Sequence, residues 1–172
     1  MILKLQLMSS IKVWFYDPCN DPNGLINHCV SKLDPPYCHC EIQIDQFSYC
    51  IYMGSNVMRK SRTFTSPPYT AVNVPCSVNQ KLNAKKFADS QVANEVTFST
   101  VAFVMAPVPV VSYSGCGTFC SKLCADILKA GGLAQVQDQN TNKLTPSALY
   151  RILTACGAQA STGKIMAIDF RT

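Results

Sequence analysis

Apolar and polar positions follow two different periods along this chain, and the change from one to the other divides it. Ile11 to Tyr16 (IKVWFY) is dense in β-branched and aromatic residues and predicts a buried strand. Asp17 to Gly24 holds Pro18, Asn20, Asp21, Pro22, Asn23 and Gly24 and reads as a loop; Asp34-Pro35-Pro36 is a second break. Residues 38–54, CHCEIQIDQFSYCIYMG, predict a β-hairpin turning at Asp45 and Gln46. On its first strand, alternation puts His39, Glu41 and Gln43 on one face and Cys40, Ile42 and Ile44 on the other. Residues 55–78, with Pro67, Pro68 and Pro75, read as irregular. Gln80 to Asn94 is rich in Ala, Lys and Gln, lacks Pro and Gly, and predicts a helix. Val96 to Met105 predicts another strand, and Ser112 to Gly117 a turn.

Beyond that turn the period is helical. From an opening at Thr118, the residues Cys120, Leu123, Cys124, Ile127 and Leu128 fall at i, i+3, i+4, i+7 and i+8, one buried face, while Lys122, Asp126 and Lys129 point away. Gly131-Gly132 ends this helix. A second helix starts with Thr145 as cap and Pro146 in its first turn, turns Leu149, Ile152, Leu153 and Cys156 inward, and stops at Gly157. Lys164 to Phe170 predicts a last strand. The expected class is α+β: a small antiparallel sheet built from Ile11–Tyr16, His39–Ile44, Ser48–Met53 and Val96–Met105, packed against the Cys120 helix in one domain spanning residues 1–172.

Composition narrows the function classes. A chain of 172 residues with 48% hydrophobic and 15% charged positions can bury a core and is not of the disordered type. The net charge of +5 is scattered, its densest clusters being Arg59-Lys60-Arg62 and Lys81-Lys85-Lys86. These read as solvated faces, so no nucleic-acid partner is expected. Met1 to Met8 is too short for a signal peptide. The apolar run Val96 to Val111 is broken by Pro107 and Pro109 and falls short of a bilayer span, so no transmembrane segment is expected. Ten cysteines include no CxxC pair, and a chain with its own core does not need a disulfide framework. They read as reduced thiols, which places the protein in a reducing compartment such as the cytoplasm. The oligomeric state is open.

Among those cysteines Cys120 has a distinct setting. It follows a Gly-containing turn (Gly115, Gly117) and lies in the first turn of an amphipathic helix. Free backbone N–H groups and the helix dipole there favour a thiolate. The same N–H groups can face an oxyanion forming on an attacked acyl carbon. A thiol needs a base, and the chain has two histidines. His28 lies in an ill-defined segment; His39 starts a strand on its polar face, with Glu41 two residues on to orient the imidazole. The plainer alternatives are a structural thiol and a solvated strand histidine. Zinc is a further alternative, through Cys38, His39 and Cys40 with Cys116, Cys120 and Cys124, but neighbouring strand residues point to opposite faces and do not converge. No cofactor or metal is called for.

Several of these segments together resemble one family. PYCHCEIQI resembles the histidine strand of circularly permuted papain-like (NlpC/P60-type) cysteine hydrolases, in which the His strand precedes the Cys helix. SYCIYMGSNV resembles the strand that follows it, GTFCSKLCADILKAGG the nucleophile helix, and LTPSALYRIL the helix after that. IKVWFYDP fits the leading strand, and residues 55–115 fit least. In style the chain is similar to virus-encoded members. The resemblance implies Cys120 as nucleophile, His39 as base and a variable third polar residue, Glu41 or a group near Tyr52. One departure is Lys122, where members often carry Glu. It implies a thiol protease or amidase acting on a peptide or acyl substrate through an acyl-enzyme. The alternatives it leaves are a lipid acyltransferase or thioesterase of the same fold, or a catalytically degenerate viral structural or host-interaction protein. The setting it implies is cytoplasmic or virion-associated.

Overall fold

The β-branched IKVWFY run lies in the interior of a sheet. In the computed structural model, which describes residues 8–18, 34–64, 66, 68–107, 117–155 and 159–161, it forms the body of β1 (Met8–Tyr16). On one side β1 pairs with β2 (His39–Ile44), which continues into β3 (Phe47–Cys50) and β4 (Met58–Ser61). On the other it pairs with β5 (Tyr69–Ser77), which carries β6 (Gln159–Ser161). Among the described residues the sheet has six strands in the order β4-β3-β2-β1-β5-β6, every pair antiparallel. The helices are α1 (Val78–Ala93), α2 (Thr100–Met105), α3 (Cys120–Ala130), α4 (Ala134–Gln137) and α5 (Pro146–Ala155). The class is α+β.

Register fixes what each face carries. Val13 sits opposite Ile42 and Val72, Phe15 opposite Cys40, and Ile11 opposite Val74. All seven are buried on one face, where α1 and α3 cover them. Each fully buried aliphatic or aromatic side chain contributes roughly 1.5–3 kcal/mol, so this face dominates stability. The α3 residues Cys120, Leu123, Cys124, Ile127 and Leu128 are all buried against it, as their spacing requires. The other face carries Lys12, Trp14, Glu41 and Gln43. Trp14 donates from Nε1 to the Gln43 amide oxygen at 2.8 Å and stacks on Phe64 at 4.6 Å.

Two expectations are corrected. Residues 55–78 are not irregular: they contain β4 and the nine-residue β5, which pairs β1 along its whole length. Among the described residues β6 pairs only Ala71 to Asn73, so no described strand asks Pro75 for a ladder N–H on that side. Residues 96–105 are not one strand. Residues 96–98 are extended and bridge to Asn56 and Thr118; Ser99 then caps α2, its hydroxyl accepting from the Ala102 N–H. The side-chain oxygen satisfies a helix-start N–H, and local capping overrides the β-branched composition.

The α5 start follows its sequence signal, whereas α1 begins at Val78, two residues ahead of the expected Gln80. Ser77 and Gln80 form a reciprocal capping box on α1, and Thr145 Oγ1 accepts from Ala148 N on α5. The start of α3 differs: its N-cap is Phe119, not Thr118, and no side chain caps it. Among the described residues no helix is long and apolar enough to cross a membrane. His28, Cys116, Cys156 and the expected strand Lys164–Phe170 lie outside the described residues.

Candidate active site

At one end of the sheet, β1 finishes at Tyr16, β2 begins at His39 and β5 begins at Tyr69, and the start of α3 abuts them. A cleft of about 330 Å³ opens there, lined by Tyr16, Cys38, His39, Ile51, Tyr52, Met53, Pro68, Tyr69, Phe98, Phe103 and Cys120. Backbone and side-chain hydrogen bonds hold its walls. Phe98 bridges Thr118 in parallel, and the Ser99 and Thr118 N–H groups donate across to Thr118 O (2.7 Å) and Thr97 O (2.9 Å). Gly117 makes that approach possible: at φ +102° a Cβ there would lie 3.0 Å from both Ser99 Cβ and Thr97 O. The residues ahead of β2 are gripped by α5. The Ser147 hydroxyl donates to Asp34 O at 2.7 Å and accepts from Tyr37 N at 3.0 Å, the Arg151 guanidinium pairs with Asp34, and Thr145 bonds the same carboxylate.

The structure brings the three expected residues together. Alternation holds: His39 and Glu41 share a face of β2, and His39 Nε2 lies 3.4 Å from Glu41 Oε1, within ion-pair reach but not aligned as a hydrogen bond. His39 stacks on Tyr52 with centroids 5.0 Å apart and planes 20° from parallel. Its side chain is 15% exposed, toward the cleft. Cys120 is 3% exposed, lines the same cleft as His39, and lies close enough to His39 and, from the opposite face of β2, to Cys40 for both to act on its thiol.

Glu41 is fully buried and saturated with donors. Its Oε1 accepts from the Tyr52 hydroxyl at 2.7 Å and from Arg62 Nη1 at 2.6 Å, and Oε2 accepts from the Ser48 hydroxyl at 2.7 Å. Arg62 also donates from Nη2 to the Tyr69 hydroxyl at 3.0 Å. Burial alone would raise the Glu41 carboxyl; His39, Tyr52 and Ser48 outweigh it and hold it below the ordinary range. Burial likewise opposes a charged His39, but the Cys120 sulfur and then Glu41 overcome this and push the imidazole up to about 9.

Cys120 moves the other way from its neighbours. Burial pushes the Cys40, Cys76 and Cys124 thiols up, and Cys50 to about 12. Hydrogen bonding from Cys40 draws Cys120 well down, burial opposes this, and His39 adds to the lowering. Both shifts favour the same charge arrangement, a thiolate at Cys120 beside a protonated His39. All six described cysteines are free. Among the described residues no three His, Cys, Asp or Glu side chains are placed to hold a metal ion.

Sequence reasoning does not find Arg62, Ser48, Cys40 or Tyr69. The sequence groups Arg62 with Arg59 and Lys60 as solvent-facing, yet of the three only Arg62 turns inward. Ser48 has a usable signal. The turn at Asp45 and Gln46 places Ser48 opposite Gln43, hence on the Glu41 face. No protein-family model, curated protein or solved structure matches the chain.

Proposed function

We propose that this protein is a cysteine hydrolase of the permuted papain-like (NlpC/P60-type) kind, with Cys120 as nucleophile, His39 as acid–base and Glu41 as the group that orients His39. The observation that carries the reading is the meeting of the α3-start sulfur and the β2 imidazole inside one cleft, with a buried carboxylate behind the ring. The Cys120 thiolate attacks a carbonyl carbon. The uncapped N–H groups of the first turn of α3 are available to the oxyanion. The His39 imidazolium protonates the leaving group. Neutral His39 then activates water, or a second acceptor, to release the acyl group. Glu41 keeps the imidazole in place and stabilises its charge, as an orienting carboxylate does.

The cleft supports an uncharged substrate around the reacting bond. Apart from His39 and Cys120 its walls are apolar or phenolic, and Met53, at its rim, is 67% exposed. This lining favours peptide amides with apolar side chains, and equally the ester substrates of the acyltransferase alternative.

Limiting iodoacetamide on reduced protein at pH 7, read by peptide mass spectrometry, tests the reading. Cys120 is expected to alkylate ahead of every other cysteine. His39→Ala removes one of the groups that draw the Cys120 thiol down and should slow its alkylation measurably, while the lowering by Cys40 remains. Turnover of a panel of peptide amides and acyl esters should vanish in Cys120→Ala. Even alkylation across the cysteines, unchanged in His39→Ala, would leave the domain as a binding module.

A further inference from the structure

Three thiols converge where α3 meets β2. Cys120 and Cys124 are one helical turn apart on the buried face of α3, so their Cβ atoms are neighbours. Cys40 leaves β2 on the face opposite His39 and Glu41 and points into the same helix–sheet seam. Cys40, Cys120 and Cys124 belong to one buried cluster where α3 packs on β2, and Cys40 is near enough to lower the Cys120 thiol. Cys120 faces the cleft, while Cys40 and Cys124 are fully buried behind it. The mechanism above uses only one of the three.

We propose that Cys40 is a resolving thiol that captures oxidised Cys120 as a reversible Cys40–Cys120 disulfide, making the site sensitive to hydroperoxides. The inference rests on the Cys120 thiolate of the preceding reading.

The chemistry balances in two steps. The Cys120 thiolate attacks one oxygen of a hydroperoxide. The S–O bond forms, the O–O bond breaks, and the departing oxygen takes the His39 proton, leaving a sulfenic acid and water or an alcohol. The Cys40 sulfur then attacks the sulfenic sulfur. The S–S bond forms, the S–O bond breaks, and the hydroxide leaves as water with the proton Cys40 gives up. Sulfur is oxidised and the peroxide reduced, with no other reactant. An external dithiol reverses the bridge.

Position favours Cys40 over Cys124 as the resolving group. The i,i+4 spacing on α3 holds the Cβ atoms of Cys120 and Cys124 about 5–6 Å apart, too far for a disulfide without distorting the helix, whereas Cys40 enters the same seam from β2. A bridge between β2 and α3 also needs little rearrangement where the two elements already pack. Burial keeps peroxide from Cys40 itself, so oxidation begins at the sulfur lining the cleft.

The test uses the purified chain, treated with hydrogen peroxide, alkylated and digested without reduction. A peptide pair joining Cys40 to Cys120 is expected, with Cys120 alkylation lost and then restored by dithiothreitol. In Cys40→Ser, Cys120 should instead run on to sulfinic and sulfonic acid that dithiothreitol does not reverse; Cys124→Ser should still form the bridge. A Cys120–Cys124 bridge, a bridge between two chains, or overoxidation with no bridge in the unsubstituted protein each overturns the proposal. The first alkylation separates this from failure of the hydrolase reading: selective Cys120 labelling in reduced protein, without a later bridge, rejects the resolving role alone. Should Cys40→Ser not fold, peptide mapping of the unsubstituted chain decides by itself.

Discussion

Glu41→Gln removes one charge at constant volume from the most heavily bonded buried group of the site. The amide oxygen can stay at the Oε1 position, accepting from Tyr52 and Arg62. The amide nitrogen then meets Ser48, whose hydroxyl can rotate to accept. Every contact survives in form, but four lose their charge assistance: Arg62 at 2.6 Å, Tyr52 and Ser48 at 2.7 Å each, and the nearby His39. A charged hydrogen bond exceeds a neutral one by roughly 1 kcal/mol, so the variant should lose about 2–4 kcal/mol. Arg62 is 29% exposed and keeps some hydration, which argues for the lower half of that range. Glu41→Ala, which takes the carboxylate from Tyr52, Ser48 and Arg62 and leaves Arg62 only the Tyr52 and Tyr69 hydroxyls, should cost more, about 3–5 kcal/mol. Urea unfolding at pH 7 with an unchanged slope measures both. The sign of the pH dependence is fixed. The carboxyl is depressed in the folded state, so its contribution is present above the unfolded value and is lost as pH falls through the folded one. The gap in stability between the unsubstituted protein and the Glu41→Gln variant should therefore close in acid. The His39 imidazole, followed by NMR, should titrate below about 9 in the variant. A loss under about 0.5 kcal/mol together with an unmoved imidazole would refute the claim that Glu41 holds His39.

Other outcomes follow from the same geometry. Turnover of any accepted substrate should fall above pH about 9, where His39 loses the proton it gives the leaving group, while iodoacetamide labelling of Cys120 persists, since it needs only the thiolate. His39 titrates higher folded than unfolded, so its stabilisation is complete below its ordinary value of 6.5 and disappears as pH rises through about 9; urea midpoints across that interval measure it, and His39→Ala should show a smaller decline. Gly117→Ala meets both a positive φ and two atoms at 3.0 Å, and should lower stability by about 1–3 kcal/mol in thermal unfolding. Ser147→Ala strips buried partners from Asp34 and Tyr37 and should cost about 1–3 kcal/mol, whereas Arg151→Ala, at a side chain 60% exposed, should cost under about 1 kcal/mol by the same measurement. Equal losses at the two positions would contradict that ranking by burial.

How far the sequence discloses this arrangement depends on whether the signal is local. The period of α3, the hairpin turn at Asp45 and the Thr145 cap are set by neighbours within a few residues, and all appear in the structure. β5 is not legible because its partner β1 lies some sixty residues earlier, and its polar and proline-containing sequence lacks strict alternation. Val96–Met105 misleads because β-branched residues suit a strand, while the deciding feature is a single hydroxyl at Ser99. In the site, His39 and Glu41 are legible from the two-residue period of one strand. Arg62 is not: nothing local separates it from Arg59 and Lys60, and only the fold turns it onto Glu41.

The two faces of β2 explain why one strand governs the whole site. Odd positions His39 and Glu41 build a charge ladder, from imidazole to carboxylate to Arg62, on the face away from the core. Even positions Cys40, Ile42 and Ile44 belong to the core face and meet α3. Cys120 stands where these faces end, at the first residue of α3 and beside the first residue of β2, and so is within reach of both. Its thiolate is favoured by His39 from one face and by Cys40 from the other, while burial opposes it. Cys124, one turn deeper on the same helix face, is buried as fully, and its thiol is pushed up. Four residues of helix therefore separate a thiol drawn down from one pushed up. The difference lies in reach to the start of β2, not in residue type or depth.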